Sequence, residues 1–287
     1  MYNEYALTDF FTKEIPYKDF QVNRLEEMPA LPSHIKSPHK HLFYELFLVS
    51  SGAMIHNADF KEFQLSANTL FFISQGQLHI WAKNIIKPLV GFRLMFTESF
   101  MTQNFIKPNF LFELVYLNNI YFNPLLTVEP NAKIYTYFEL LQQEYEDQNR
   151  NTHNLQAMVF LILNEIQKIA IKQIDNQAQS TNDLSLYKQF LYAVENSFHQ
   201  NISIDQYAES LCISTRQLSR IVKNITNLTL NQVIQNRRIL EAKRLLKYST
   251  YSIGEISFCC GFEDTSYFIR LFKKMENCTP TEFKKVL

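Results

Sequence analysis

The sequence predicts an α+β chain of two domains. The first, residues 1–174, is a β-barrel (about 20–96) followed by helices (about 97–174). The second, residues 183–287, is an all-α domain of two helix-turn-helix units joined by a long helix. Three observations predict this. Short aromatic and β-branched segments crowd residues 20–96. Apolar residues recur at i, i+3, i+4 and i+7 near the C-terminus. Between the halves, residues 175–182 (DNQAQSTN) carry no apolar side chain larger than Ala178, which reads as a linker.

Composition supports packed cores. The chain has 287 residues, 46% hydrophobic and 14% aromatic, and its 5 Gly and 20% charged residues exclude a low-complexity or linker-dominated protein. Its net charge of zero conceals an asymmetry. Residues 182–287 hold 14 Lys and Arg against 10 Asp and Glu, a net +4, which leaves −4 for residues 1–181. The C-terminal domain can approach phosphate, and the N-terminal one is mildly repelled by it. No apolar run reaches membrane-span length, and Met1–Phe20 lacks the basic start and apolar stretch of a signal peptide, so a cytoplasmic protein is expected. Cys212, Cys259, Cys260 and Cys278 lack metal-ligand spacing and read as small buried apolar residues in a reducing compartment.

Residues 1–19 read as irregular. Strands are expected at Phe20–Met28, Leu42–Val49, Ala53–Asn57, Phe60–Leu65, Thr69–Ile73, Leu78–Lys83 and Leu89–Phe96, with turns at Ser50-Ser51-Gly52 and Ser74-Gln75-Gly76. Such spacing fits a sandwich or barrel. One or two short helices are expected in 97–117, a break through 118–130, and longer helices at 131–149 and 154–175. In the last, Leu155, Val159, Ile162, Ile166 and Ile169 step 4, 3, 4, 3. That stripe suits a seam for a homodimer through 131–175 or a cover for the β-domain, and periodicity alone does not choose.

Helix starts punctuate the C-terminal domain. Ser203 with Gln206, Ser214 with Gln217, Thr229 with Gln232, Ser252 with Glu255 and Thr279 with Glu282 have capping-box spacing, and Pro280 suits a first helical position. Helices follow at about 183–199, 204–211, 215–225, 230–247, 253–259, 265–275 and 280–286. Two of them repeat one design. Leu218, Ile221, Val222 and Ile225 mark one buried face; Phe268, Leu271, Phe272 and Met275 mark the other. Each is preceded by a short helix in which a small residue, Ala208 or Ser257, permits close approach. Gly261 frees the second turn, whereas Cys212 stands at that place in the first. Solvent faces with Arg, Lys and hydrogen-bonding groups are what reading double-stranded DNA in two major-groove stretches requires.

Residues 185–287 resemble the AraC/XylS family of transcription regulators. The second unit carries the most distinctive string: Ile256, Gly261-Phe262, Ser266, Phe268, Phe272-Lys273 and Pro280. The first matches at Ala208, Ser214, Leu218 and Arg220, and the connecting helix at Arg237, Ala242 and Leu245-Leu246. Asn277 replaces a usual Gly but tolerates the left-handed conformation. Lys284 stands near a usual Arg. The resemblance implies base reading by Arg216, Gln217 and Arg220 from the first unit, and by Thr265, Ser266, Tyr267 and Arg270 from the second. Lys223, Arg237, Lys273 and Lys274 would hold phosphates. It also implies promoter DNA as partner, RNA polymerase beside it, and activation as the outcome.

In the N-terminal domain, His39-x-His41-x3-Glu45-x6-Gly52 resembles the first motif of the cupin β-barrels, and Ser74-x-Gly76-x2-His79 part of a second. Positions 39, 41 and 45 share a parity, so an unbroken strand points them to one face. Two readings stand. One is an effector pocket of His39, His41, Glu45, His79, Trp81 and Arg93, with Phe72 and Phe92 in its lining, for an unidentified small molecule. The other is a divalent metal on His39, His41, Glu45 and His79. The favoured expectation is no cofactor and no metal. A metal-dependent cupin enzyme, an oxygenase or isomerase with a helical appendage, is the rival function. No Gly-rich phosphate loop or nucleophile–base motif makes a positive case for catalysis.

Overall fold

The computed structural model describes residues 4–11, 15–28, 37–80, 85–102, 111, 114, 124–173, 181–226 and 228–285. The chain divides into a sheet-rich unit, Asn3–Asn176, and a helical unit, Gln177–Leu287.

The sheet-rich unit contains β1 (Glu4–Tyr5), β2 (Phe20–Arg24), β3 (Lys40–His41), β4 (Tyr44–Ala58), β5 (Lys61–Ser66), β6 (Thr69–Ile73), β7 (His79–Ile80), β8 (Ile85–Phe96) and β9 (Leu125–Thr127). Seven of these strands make one sheet along the path β2-β8-β4-β6-β9, with β5 and β7 also on β4. Among the described residues the path does not close. β2 and β9 end it and do not pair with each other, which corrects the expected barrel to an open sheet. β9 was expected to be part of a break.

β4 replaces two expected strands. Ser50-Ser51-Gly52 reads as a turn, but here the chain runs on through bulges, with register shifts against β8 at Val49/Ser51, Ser51/Ala53 and Ala53/Met54. Two glycines permit this. Gly52 has φ +96°, and a Cβ there would stand 2.1 Å from the Pro88 carbonyl oxygen; Gly91 has φ +144°, with the Leu48 oxygen 2.0 Å from its would-be Cβ. The bulges also exchange the faces of β4. Phe47 and Val49 precede them and Met54 and Ala58 follow, yet all four share one core with Phe71 and Ile73.

The N-terminal segment, expected to be irregular, is ordered where it is described. β1 pairs in parallel with β3, and a 3-10 turn at Leu7–Phe10 buries Leu7 and Phe10 against Phe43 and Met95. On the opposite face of the sheet, Phe92 packs against Phe138 of α2 (Lys133–Glu146), their rings 5.4 Å apart. α1 is Glu98–Thr102, and α3 (Thr152–Gln173) pairs with α2. Leu155, Val159, Ile162 and Ile166 of α3 are fully buried within the chain itself.

The helical unit has α4 (Thr181–Ser197), α5 (Ile204–Ser210), α6 (Thr215–Thr226), α7 (Leu230–Tyr248), α8 (Ile253–Cys259), α9 (Thr265–Glu276) and α10 (Pro280–Lys285). α4 begins two residues inside the stretch read as linker; residues 174–180 lie outside the described ones. Ser203, Thr229 and Ser252 close reciprocal capping boxes. Thr279 and Glu282 make the same two bonds at α10. α6 is capped by Ser214, whose Oγ accepts from the Gln217 amide. α9 carries an unforeseen cap: one oxygen of Asp264 accepts from the amides of Ser266 and Tyr267. Cys212 makes the first turn at φ +55°, Gly261 the second at +77°, and Asn277 ends α9 in the left-handed region at +60°. Of the four free cysteines only Cys260 is buried; Cys212 and Cys259 are exposed, which corrects the expectation for that group. Among the described residues no helix is long and apolar enough to cross a membrane.

Candidate nucleic-acid interface and buried histidine cluster

α6 and α9 each bury one stripe and expose the other. Leu218, Ile221 and Val222 are wholly buried, as are Phe268 and Phe272. The opposite faces present Arg216, Arg220 and Lys223 on α6, and Ser266, Tyr267, Arg270, Lys273 and Lys274 on α9, all exposed; Gln217 and Thr265 are half-buried beside them. Some of these side chains are already engaged. Arg220 pairs with Asp183 of α4 at 3.2 Å, and the Tyr267 hydroxyl accepts from Gln235 of α7 at 2.8 Å. Lys284 donates to the Tyr251 carbonyl at 2.8 Å.

Arg237 is a correction. Expected on phosphate, it is 4% exposed. Its Nε and one terminal nitrogen grip Glu195 of α4 at 2.6 and 2.7 Å, while the other terminal nitrogen reaches Glu241 at 3.1 Å. The guanidinium also lies 3.9 Å over the Phe198 ring. Burial opposes its charge, but the two carboxylates outweigh that and raise its pKa. Next to it, Arg238 donates to the Phe198 and Gln200 carbonyls after α4, as expected of a cation at a helix C-terminus. Both arginines clamp α7 to the end of α4, and Arg237 is too buried to meet a solvent-borne phosphate. The periodicity of a long helix with two solvated flanks did not reveal that one flank is covered by α4.

The sheet-rich unit buries a second polar cluster. His39, His41, Glu45 and His56 are 0% exposed, and His79 and Arg93 2%. The strand is not unbroken between 39 and 45: β3 ends at His41 and β4 starts at Tyr44. His39 and His79 form an antiparallel bridge, their backbones exchanging bonds of 2.9 and 3.0 Å. The ring of His79 is 4.4 Å from that of His39, 4.8 Å from His41 and 5.3 Å from His56. Arg93, opposite Phe47 on β8, binds Oε1 of Glu45. The other carboxylate oxygen lies 3.4 Å from His41 Nε2. His56 Nε2 meets His79 Nδ1 at 3.2 Å, and His39 Nδ1 meets the Ser37 carbonyl at 2.8 Å. Phe10 closes the cluster, 5.6 Å from the His39 ring and 5.4 Å from the Arg93 guanidinium.

Burial holds His39 and His79 below the usual imidazole range and His56 down at about 4, so all three are neutral near pH 7. Burial alone would raise the Glu45 carboxyl, but Arg93 and His41 outweigh it and hold it at about 2. Burial also lowers Arg93, against the pull of Glu45. His39 Nε2, His41 Nδ1 and His79 Nε2 make no hydrogen bond among the described residues, while His41 Nε2 and Glu45 Oε2 have their mutual 3.4 Å contact. Leaving such an atom buried costs about 1–3 kcal/mol.

The structure thus brings His39, His41, Glu45, His79 and Arg93 together. Trp81 lies outside the described residues. Phe92 faces α2, and Phe72, opposite Leu46, shares its parity, so neither lines the cluster. His56 was missed for a physical reason. Its even position puts it on the face opposite Glu45, and the bulges around Gly52 reverse that.

Two family models match the chain: an AraC-like ligand-binding domain over residues 29–163 and a helix-turn-helix domain over 207–285. The chain belongs to the AraC family. It is a DNA-binding transcription regulator rather than an enzyme. Curated relatives include the transcriptional activator RhaR of Mannheimia succiniciproducens, 24% identical across 96% of this chain and 94% of the relative. The transcriptional activator RhaS of Escherichia coli is 25% identical over 90% of each. Among solved structures, ToxT from Vibrio cholerae aligns with 94% of this AraC-family chain and 99% of its own, at 15% identity and a TM-score of 0.42.

Proposed function

We propose that this regulator activates transcription by reading promoter DNA with two helix-turn-helix units. Arg216, Gln217 and Arg220 of α6, and Thr265, Ser266, Tyr267 and Arg270 of α9, contact base edges. Lys223, Lys273 and Lys274 hold phosphates. The observation that carries this is the exposure of Arg216 and Arg270, each on the solvent face of a helix whose other face is locked in a core. α7 has 19 residues, roughly 28 Å of helix, a length suited to holding two reading helices near one DNA turn apart.

The sheet-rich unit receives the signal, through an effector that shifts the equilibrium between DNA-binding geometries. Homodimerisation runs through α2 and α3. Support comes from Leu140, Phe160, Leu161 and Ile171, which remain exposed on those helices after the buried stripe is satisfied. RNA polymerase is the further partner that activation requires, and the cytoplasm is the place of action. The test is binding to operator fragments recovered by genome-wide selection. Arg216→Ala and Arg270→Ala should each weaken specific binding by roughly 5- to 150-fold, the worth of about 1–3 kcal/mol. Unchanged specific affinity in both folded variants would overturn the assignment.

A further inference from the structure

Tyr267 is held at three points. Its amide donates to the Asp264 cap at 3.2 Å, which fixes its backbone in the first turn of α9. Its ring lies 6.2 Å from that of Phe262, which is buried. Its hydroxyl accepts from Nε2 of Gln235, on α7, at 2.8 Å. The side chain is nevertheless 42% exposed, and the first turn of a reading helix is the part that meets base edges. A tyrosine has only two side-chain torsions, so three anchors leave its hydroxyl little freedom.

The direction of the third bond has a chemical consequence. A phenolic hydroxyl both donates and accepts, so a free tyrosine suits bases of either kind. The NH2 of a glutamine only donates. With Gln235 donating to it, the Tyr267 oxygen is an acceptor on its α7 side, and its own proton points away from Gln235. What it offers to DNA is an O–H donor. In the major groove guanine presents N7 and O6 as acceptors, adenine N7 and thymine O4, whereas cytosine presents only its N4 donor.

We propose that Gln235 determines specificity without touching DNA: it fixes Tyr267 as a donor, so that α9 rejects cytosine at the base beneath that hydroxyl. This rests on base reading by Tyr267 and names the class of base it accepts. Gln235 is a positioning residue, half-buried on the helix that connects the two units. The connector therefore contributes to readout as well as to spacing. A donor leaves a recognisable pattern whichever strand it faces. It rejects one orientation of the G·C pair and accepts the other three base pairs. An acceptor needs cytosine N4 or adenine N6, so it accepts two orientations and rejects two.

The experiment is competition binding of the full chain to a recovered operator fragment in which each base pair is replaced in turn by the other three. Tyr267→Phe removes only the hydroxyl, and the position whose order it changes is the one beneath it. There the wild-type chain should reject one orientation of the G·C pair by roughly 3- to 10-fold, the worth of one hydrogen bond. Gln235→Met, which removes the amide at nearly constant length, should level that position alone and add nothing in the Tyr267→Phe background. Gln235→Glu only accepts, so it should draw the hydroxyl proton inward and make the rejected orientation an accepted one. A loss spread evenly over all positions in the folded Gln235→Met chain would show a merely structural role and overturn the proposal. So would a wild-type order in that variant, or two accepted and two rejected orientations in the wild-type chain. If Gln235→Met does not fold, Gln235→Glu decides. Arg270→Ala, measured in parallel, separates the two failures: an altered order there with none in Tyr267→Phe overturns the role of Gln235 and leaves the two-unit reading standing.

Discussion

The two helix pairs share a plan and differ in the chemistry that holds it. The first pair caps its helices with neutral side chains: Ser203 with Gln206 on α5, Ser214 on α6, then Thr229 with Gln232 on α7. The second uses carboxylates: Ser252 with Glu255 on α8, Asp264 on α9, Thr279 with Glu282 on α10. The first makes its turn with Cys212 and the second with Gly261. One backbone geometry therefore tolerates different side chains wherever the space around it permits. The residues that cannot change are those whose surroundings are closed.

The largest test of that rule lies where α7 meets α4, between the pairs. Arg237→Met should destabilise the chain by about 3 kcal/mol, because Glu195 loses its bidentate partner and Glu241 one of its two arginines, Arg244 remaining at 3.0 Å. DNA affinity per folded molecule should be unchanged. A loss of affinity with no loss of thermal stability would return Arg237 to the phosphate contacts.

The two turns come next. A Cβ at Gly261 would stand 2.7 Å from the Phe198 carbonyl oxygen and 2.9 Å from that of His199, both backbone atoms, at a φ that already disfavours it. Gly261→Ala should cost at least about 2 kcal/mol, combining the left-handed penalty with the clash. Cys212→Gly should stay within about 0.5 kcal/mol of wild type, because relief at φ +55° is offset by the entropy of glycine. Equal losses in denaturant unfolding would show that the second turn is not the more closed.

On DNA the pairs should differ in salt response. Lys273→Gln in the second pair should weaken binding evenly across sequences and reduce the salt slope by about 1, whereas Arg216→Ala in the first should relax preference at one base position. Arg220→Ala should cost less than Arg216→Ala, since Asp183 already competes for Arg220 at 3.2 Å. If Arg220→Ala proves the costlier in competition binding, Asp183 is orienting that arginine rather than restraining it.

Much of this was legible in the sequence because it is local. Capping boxes, the Asn277 turn and the apolar stripes of α6 and α9 each depend on residues a few positions apart. What escaped depended on distant chain segments. His56 reaches the Glu45 face only because the bulges opposite Gly91 reverse its parity. Arg237 is buried only because α4, some forty residues earlier, covers it. β4 reads as two strands because Ser50-Ser51-Gly52 has turn composition, and only pairing with β8 shows it to be a bulge. Closure into a barrel was inferred from strand spacing, which carries no information on whether the first and last strands meet.

The smallest expected effect separates the pairs by acidity. Backbone amides hydrogen-bonded to the cap hold Glu255, Asp264 and Glu282 below their usual carboxylate range. Arg270 adds to this at Asp264, and Lys273 and Lys285 at Glu282. A carboxylate whose folded pKa is depressed stabilises the fold above its unfolded value, about 4. That contribution fades as pH falls through the lower folded value. The neutral caps of α5, α6 and α7 have nothing to titrate in that range. The triple variant Glu255→Gln, Asp264→Asn and Glu282→Gln should therefore unfold at a lower temperature than wild type near neutrality, and the gap should narrow as the solution is acidified past about pH 4. A gap that stays constant over that range would mean the second pair's caps act as neutral hydrogen-bond acceptors, as the first pair's do.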